Sequence, residues 1–224
     1  MTRSPRISSI FVGQPKTITD SRGSWTSSIL RDQVDAPVEL RPEGIVGDRV
    51  TQPYHGGADS ALCVHLLDHY RYWKESYGIS LPEGAMGENF TLADISENEI
   101  CAGDIVRAGS ALVQVSGPRI PCENLARRLG RADWPRLAIR ENRTGFYARV
   151  LEAGIARPGD AWDLRDRLNP EGSITSLNRC FYLDFDPDFA RAAGEMRGLG
   201  DWWKDQFLQK LHDYSSRSSE TTQA

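Results

Sequence analysis

The fold class follows from short apolar runs such as ALVQVS at Ala111–Ser116. Comparable runs stand at Ile7–Val12 and Thr144–Leu151, and glycine, proline and aspartate separate the runs from one another. Short segments that are rich in β-branched residues and bounded by turn residues are typical of β-strands. Because this pattern extends from Arg6 to about Leu164, the sequence predicts a mainly β domain in this part of the chain.

Two helices are expected to lie against this sheet or barrel. The segment Leu67–Tyr77 is rich in aromatic residues and has Asp68 near its start. The segment Cys122–Leu129 begins directly after a proline. Both features are signals of a helix start, so a few helices should accompany the strands.

The chain changes character after residue 168, where Asn169–Gly172 has the composition of a linker. Three segments that open with serine or aspartate are then predicted to be helices: Ser173–Leu183, Asp186–Arg197 and Asp201–Tyr214. The last residues are small and polar, too poor in apolar groups to offset the entropy of ordering them. The sequence therefore predicts a first domain over residues 1–168, a three-helix domain over 169–214 and a disordered tail over 215–224.

Charge and cysteine spacing restrict the function classes. Lys and Arg number 27 against 31 Asp and Glu, and without a long basic run this balance argues against a general nucleic-acid binder. No apolar run approaches the roughly 18 residues that a membrane span needs, so we expect a cytoplasmic protein. Four widely spaced cysteines without a CxxC pair are expected to be thiols: Cys63, Cys101, Cys122 and Cys180.

The most informative segment is SGPRIPCEN at Ser116–Asn124. Two prolines stiffen a loop that delivers Cys122 to a predicted helix start. Backbone N–H groups and the helix dipole favour a thiolate there, and Arg119 adds positive charge. A thiolate is the form of cysteine that attacks or ligates a metal. The alternative is a buried, inert cysteine, because free cysteine is among the most buried residue types.

A second candidate is the loop PYHGGADSA at residues 53–61. His55 precedes Gly56 and Gly57, and Asp59 follows the histidine by four positions. Glycines allow positive φ and expose N–H groups to an anion such as phosphate, while His55 could donate a hydrogen bond or ligate a metal. The alternative is a tight turn with a surface histidine.

A third segment, GAMGENF at Gly84–Phe90, places Glu88 and Asn89 beside glycine at the entrance to a predicted strand. Their side chains could bind the amide and amine edges of a ligand, or they could cap a turn. His65 and His69 lack the glutamate of a zinc HExxH motif and are expected to be structural. The glycine-rich nucleotide-binding motifs and the serine-hydrolase motif are absent from the sequence.

Taken in order, these segments resemble the MOSC family, the domain shared by molybdenum-cofactor sulfurases and mitochondrial amidoxime-reducing components. The matching segments cover about residues 40–164: Gly44–Asp48, His55–Ala61, Gly87–Asn89, Gly103–Ile105 and Gln114–Cys122. The chain looks most like the bacterial YiiM-type members, which are associated with resistance to hydroxylaminopurine. In those members the Pro-Arg-x-Pro-Cys segment occurs together with a three-helix C-terminal extension.

This resemblance implies a MOSC β-barrel-like fold and a molybdenum cofactor of the molybdopterin type, with Cys122 as the ligand of the metal. The residues implied in cofactor binding are His55, Gly56, Gly57, Asn89, Arg119 and Cys122. Those implied in catalysis are Cys122, with protons coming either through water or from His55, Asp59 or Glu88. The implied activity is that of a molybdenum-dependent oxidoreductase, which reduces small N-hydroxylated bases or related compounds with electrons from a separate flavoprotein reductase. Neither nucleic acid nor membrane is an expected partner.

Two alternatives stay open on the sequence. Cys122 could instead hold sulfane sulfur as a persulfide, in a non-catalytic carrier of sulfur or of the cofactor. The chain could also be an interaction domain whose three-helix module recruits a partner. In an enzyme, the same helices would shield the cofactor or dock the electron donor.

Overall fold

An eight-stranded sheet is the largest element of a computed structural model of the chain. The structure describes residues 4–50 and 56–221, with side chains up to residue 217. The strands are β1 (Arg6–Val12), β2 (Lys16–Asp20), β3 (Gly23–Ser27), β4 (Asp32–Gln33), β5 (Val38–Arg41), β6 (Gly44–Ile45), β7 (Leu62–Leu66), β8 (Phe90–Ala93), β9 (Ile105–Ala108), β10 (Ala111–Pro118), β11 (Phe146–Glu152), β12 (Gly154–Ala156) and β13 (Trp162–Asp166). The α-helices are α1 (Leu67–Tyr77), α2 (Glu123–Leu129), α3 (Trp134–Arg140), α4 (Ile174–Asn178), α5 (Pro187–Glu195) and α6 (Asp201–Thr221).

The large sheet curls until its two ends meet. Its strand order is β13-β9-β10-β11-β7-β8-β1-β4, and β12-β5-β6 and the hairpin β2-β3 form two small sheets. The Ile7 amide donates to the Asp160 carbonyl at 2.9 Å, and the Trp162 amide donates to the Pro5 carbonyl at 2.9 Å. These bonds join β1 to the start of β13, so the prediction of a mainly β, barrel-like fold is confirmed.

The apolar core lies along the central strands of this sheet. Val64 of β7, Leu92 of β8, Val113 of β10 and Phe146 of β11 are all fully buried. Burying a side chain of this size stabilises the fold by roughly 1.5–3 kcal/mol. The predicted strand at Thr144–Leu151 begins two residues later, at Phe146, because the Thr144 hydroxyl and the Gly145 amide both donate to Glu97.

Strands β7 and β8 form a parallel pair, with α1 in the connection between them. A parallel pair needs a crossover of this kind. The helix covers Leu67–Tyr77 as the sequence predicts, and it ends at Gly78, whose left-handed φ of 65° suits a helix terminus. This crossover places Cys63 in β7 next to Asn89 at the entrance to β8, since the Cys63 amide donates to Asn89 Oδ1 at 3.0 Å.

The C-terminal helices begin near the predicted positions and share one apolar core with the sheet. That core includes Leu177 of α4, Ala190 of α5 and Phe207 of α6 together with the residues of the sheet strands. The first predicted helix is split into α4 and a π-helical turn over Arg179–Leu183. The division into two domains stays a prediction.

Helix α6 extends beyond the predicted helix end at Tyr214 and reaches Thr221, and the disorder expected for residues 215–224 stays a prediction. The Ser215 and Ser216 hydroxyls each donate to the backbone carbonyl four residues earlier at 3.0 Å. Over the described ranges, no helix combines the length and the apolar character that crossing a bilayer requires.

Candidate functional site

A cleft of about 130 Å³, partly open to solvent, brings together segments that are far apart in the sequence. It is lined by the loop after β3, the end of β6, the turn before β7, the entrance to β8 and the loop between β10 and α2. Five of the predicted site residues line it: Gly56, Gly57, Asn89, Arg119 and Cys122. The segments that the sequence singled out therefore converge on one concave site.

Cys122 lies at the N-terminus of α2, in the N-cap position. Its side chain is half-buried and lines the cleft. The hairpin β2-β3 braces this helix, because Arg127 of α2 donates from Nε and Nη2 to the carboxylate of Asp20 at 2.8 Å each. This pairing lowers the pKa of Asp20 to about 2. Arg127 also lies 4.7 Å from the centre of the Trp25 ring, so two groups of the hairpin hold the helix that carries Cys122.

Arg119 is a buried cation at the cleft, only 5% exposed. Its Nη2 donates to the Met86 carbonyl at 2.7 Å, and its backbone amide donates to the Gly145 carbonyl at 3.0 Å. Nε and Nη1 meet no acceptor with hydrogen-bond geometry among the described residues. Burial opposes the charge, but the neighbouring Cys63 and Tyr147 raise the pKa of Arg119, and the guanidinium stays charged.

Cys63 and Tyr147 complete the surroundings of Arg119. Burial raises the pKa of the Cys63 thiol, and the positive charges of Arg119 and Arg31 oppose this rise. Burial likewise raises the pKa of the Tyr147 phenol above its usual range, with the nearby Arg119 acting in the opposite direction. Both groups therefore keep their protons at neutral pH.

A second arginine lines the cleft with its charge fully matched. Arg31 donates from Nε and Nη2 to the two oxygens of Asp48 at 2.9 and 2.8 Å, and from Nη1 to the Gly87 carbonyl at 2.5 Å. Asp48 also accepts from the Gly13 amide at 2.7 Å and from Asn89 Nδ2 at 3.0 Å. The side-chain amide of Asn89 is therefore hydrogen-bonded within the protein, and Asn89 forms part of the wall of the cleft.

Two predicted catalytic residues do not line the cleft. Asp59 pairs with Arg149 at 2.7 Å and its backbone carbonyl accepts from Ser116. Glu88 is fully buried, and its Oε1 accepts from the Tyr70 hydroxyl at 2.6 Å, from the Gly84 amide at 2.8 Å and from Thr91 at 2.8 Å. Both carboxylates hold neighbouring segments together. The third residue, His55, lies outside the described residues.

The turn before β7 has the backbone conformation that glycine permits. Gly57 has a φ of 115°, and a Cβ at this position would meet nothing within 4 Å. The constraint is therefore the conformation and not the space. The Gly57 carbonyl accepts from the Ser60 amide at 3.0 Å, so the predicted tight turn is present at the edge of the cleft.

The residues present fit a polar, anionic ligand. Besides the two Arg119 nitrogens, the buried Ser28 hydroxyl lines the cleft and has no hydrogen-bond partner in the described part of the chain. Leaving a buried polar group unsatisfied costs about 1–3 kcal/mol. A ligand with several acceptor atoms would remove this cost at three places. Cys122 adds a sulfur atom, the kind of donor that a soft metal prefers.

Sequence reasoning missed several residues of the site: Ser28, Arg31, Asp48, Cys63 and Tyr147. Asp48 carried a signal, since it closes one of the glycine-containing segments. Arg31 and Ser28 stand in a loop without a motif, and only their position beside Gly87 and Cys122 marks them as part of the cleft.

Comparisons with known proteins agree with this arrangement. A model of the MOSC domain family matches residues 51–163. The chain is 34% identical over 205 residues to YflK, an uncharacterized protein of Bacillus subtilis (strain 168), and the match covers 90% of this chain and 92% of YflK. It is 35% identical over 167 residues to a protein named Reductase from Gibberella moniliformis (strain M3125 / FGSC 7600). That match covers 70% of this chain but only 29% of the longer relative.

Among solved structures, the fold is similar to that of YiiM from Geobacillus stearothermophilus. The TM-score is 0.79 at 35% sequence identity, and the superposition covers 92% of this chain and 99% of the other. The similarity therefore includes the curled sheet and the C-terminal helices. Family match, relatives and fold together show that the chain belongs to the MOSC domain family and to its YiiM-type members.

Proposed function

We propose that this chain binds a molybdenum cofactor of the molybdopterin type in the cleft, with Cys122 as a ligand of the metal. We further propose that it reduces N-hydroxylated bases or related N-oxygenated compounds. The observation that carries the proposal is the presence of a half-buried cysteine and a buried arginine with two unused donors in one cleft. Membership of the MOSC family and the name of the fungal relative support a reductase.

The donors of the cleft suit the two ends of such a cofactor. A pterin dithiolene carries a phosphate group, which matches a planar guanidinium with free N–H groups. Arg119 and Ser28 would hold this anionic end. Cys122 would hold the metal end, because a thiolate is a soft ligand. In the described residues, no group of three His, Cys, Asp or Glu side chains is arranged to hold a metal ion, so the other ligands of the metal would belong to the cofactor.

The proposed reaction cleaves one N–O bond. Two electrons and two protons convert R–NHOH into R–NH2 and water. When bound, the cofactor supplies a metal centre that accepts electrons singly or in pairs and passes them to the substrate. The electrons would come from a separate flavoprotein reductase.

The chain itself would orient the reactants and manage protons. Tyr147 keeps its phenolic proton at neutral pH and lines the cleft, so it can donate a hydrogen bond to a bound oxygen. Asp59 and Glu88 are engaged with other residues, so water entering the open cleft is a better source of the two protons. Cys63 would stay a thiol and fill the site beside Arg119.

The test is the molybdenum content of Cys122→Ser compared with wild type, measured by elemental mass spectrometry after expression in cells that make the cofactor. Serine keeps the approximate size of the side chain but loses the soft sulfur. We expect near-stoichiometric metal in the wild type and a loss of metal or turnover in Cys122→Ser. Cys101→Ser is the matched control, since this cysteine lies away from the cleft and should cost only packing.

The outcomes separate the functions. Turnover of an N-hydroxylated purine by metal-loaded wild type supports the reductase. Bound cofactor without turnover, with a competent flavoprotein donor present, would point to a carrier. A persulfide on Cys122, detected by mass spectrometry in metal-free wild type, would point to a sulfur carrier instead.

A further inference from the structure

A buried polar network joins the C-terminal helix α4 to the sheet. Asn178, at the end of α4, donates from Nδ2 to the Thr144 hydroxyl at 2.7 Å, and this hydroxyl contacts Glu97 Oε1 at 3.2 Å. His69 Nε2 lies 3.1 Å from Glu97 Oε2, within ion-pair distance but without hydrogen-bond geometry. All four side chains are less than a tenth exposed. Such a network is strong when satisfied and costly when broken.

The network reaches the cleft through the backbone of one residue, Gly145. The amide of Gly145 donates to Glu97 Oε1 at 2.9 Å, and the carbonyl of Gly145 accepts from the Arg119 amide at 3.0 Å. Gly145 has a φ of 80°, and a Cβ there would lie 2.5 Å from the Val64 carbonyl. This backbone therefore has little freedom, and it connects the carboxylate of Glu97 to the backbone of Arg119.

We propose that Glu97, Thr144 and Asn178 are positioning residues for Arg119, through which helix α4 sets the direction of the guanidinium in the cleft. The proposal rests on the proposed function only in that Arg119 holds a ligand there. Among the described residues, the Arg119 guanidinium donates one well-formed hydrogen bond, from Nη2 to the Met86 carbonyl, and it also lies against the Tyr147 phenol. The position of its backbone consequently decides where Nε and Nη1 are.

A purely structural role is the competing explanation, in which the network only fastens α4 to the sheet. Leu177, also in α4 and fully buried, fastens the helix by apolar packing, and its side chain has no polar atom that could join the network. The two roles differ in what they do to Arg119. Loss of packing at Leu177 weakens the fold. Loss of the Thr144 hydroxyl also loosens the backbone at Gly145, whose carbonyl holds the Arg119 amide.

The experiment follows the Arg119 side chain directly in protein made without the cofactor. The solvent-exchange rate of the Arg119 Nε–H is measured by nitrogen-15 NMR, and the signal is assigned by its loss in Arg119→Lys. We expect Thr144→Val to raise this rate by about tenfold, as coupling between residues of one network permits. Thr144→Ser keeps the hydroxyl and should leave the rate unchanged. Leu177→Ala should lower Tm without changing the rate.

Equal exchange rates in wild type and Thr144→Val, with a lowered Tm, would overturn the positioning role. So would a rate that rises equally in Leu177→Ala. Molybdenum content of the same variants, expressed in cells that make the cofactor, tests the proposed function separately. If wild type retains no metal while the exchange rates respond as expected, the proposed function fails and the positioning of Arg119 stands.

Discussion

Two sides of the cleft treat a buried arginine in opposite ways. On the Arg31 side, all three kinds of guanidinium nitrogen meet an acceptor, and Asp48 matches the charge. On the Arg119 side, one nitrogen bonds to a carbonyl and two meet no acceptor in the described structure. A buried ion pair whose donors all have acceptors contributes to the structure of a site. A buried cation with donors that lack acceptors is available to bind a ligand. The contrast places Arg31 in the wall of the cleft, and it supports the proposal that Arg119 holds the ligand.

The largest effect is expected on the Arg31 side. Asp48→Ala leaves the Arg31 charge buried without a partner and also removes an acceptor from Gly13 and Asn89. Breaking one partner of a buried pair costs about 3–5 kcal/mol, so we expect the free energy of unfolding to fall by that amount in urea denaturation.

The matched control is Asp32→Ala, which breaks an exposed pair with Lys16. Exposed ion pairs contribute about 0–1 kcal/mol, so this variant should unfold almost as the wild type does. Equal free energies of unfolding for the two variants would mean that the Arg31–Asp48 pair is not a buried, fully hydrogen-bonded pair.

On the Arg119 side, the expected effect moves from stability to binding. Arg119→Leu removes a desolvated charge together with its bond to Met86, so the stability of cofactor-free protein should change by less than about 1 kcal/mol. Two lost charged hydrogen bonds to the ligand, at roughly 1.5–3 kcal/mol each, should lower cofactor retention at least tenfold. Unfolding curves and metal content measure the two effects. Strong destabilisation with unchanged metal content would reverse the assignment of the two arginines.

The sequence predicted the features of the cleft that depend on residues close together in the chain. Leu67–Tyr77 is helical as expected, and Cys122 stands at a helix start, because aromatic spacing and a preceding proline are local signals. The pairing of Arg31 with Asp48 depends on two loops meeting in space, which no local pattern encodes. Glu88 and Asp59 have acidic side chains in candidate segments, yet Tyr70 hydrogen-bonds to Glu88 and Arg149 pairs with Asp59, and both partners are distant in the sequence.

The unused donors of Arg119 are likewise a property of the folded chain. The sequence indicated a positive charge beside Cys122 and could not indicate how many of its hydrogen bonds the fold supplies. The roles assigned to Cys122, Arg119, Gly56, Gly57 and Asn89 stay predictions until cofactor binding is measured.

His65 is a buried polar side chain that does not line the cleft. Like Arg119 it is a buried ionisable group, and it is expected to make the stability of the protein depend on pH. Burial, together with the charges of His69 and Arg119, lowers the pKa of His65 well below its usual value. Below about pH 6.5 the unfolded chain therefore binds a proton that the folded chain does not, and stability is lost as the pH falls. Each pH unit should cost up to about 1.4 kcal/mol between pH 6.5 and 5.

His65→Gln removes the titrating group, so its free energy of unfolding should fall less steeply over this range. Above pH 7.5 the imidazole is neutral in both states, and the two proteins should then show parallel curves. An unchanged slope in His65→Gln would show that other groups cause the loss of stability in acid.

The smallest effect is expected at Ser28, where the orphaned group is neutral. Ser28→Ala removes a buried hydroxyl that has no partner in the described chain, so the free energy of unfolding should change by less than about 0.5 kcal/mol. Ser9→Ala removes a buried hydroxyl that donates to Glu83 at 2.7 Å, and it should cost about 1 kcal/mol. If Ser28 contacts the ligand, its loss should accelerate cofactor release up to about tenfold, while Ser9→Ala leaves release unchanged. A destabilised Ser28→Ala with normal release would mean that the hydroxyl bonds within the protein, and Arg119 alone would then distinguish the two sides of the cleft.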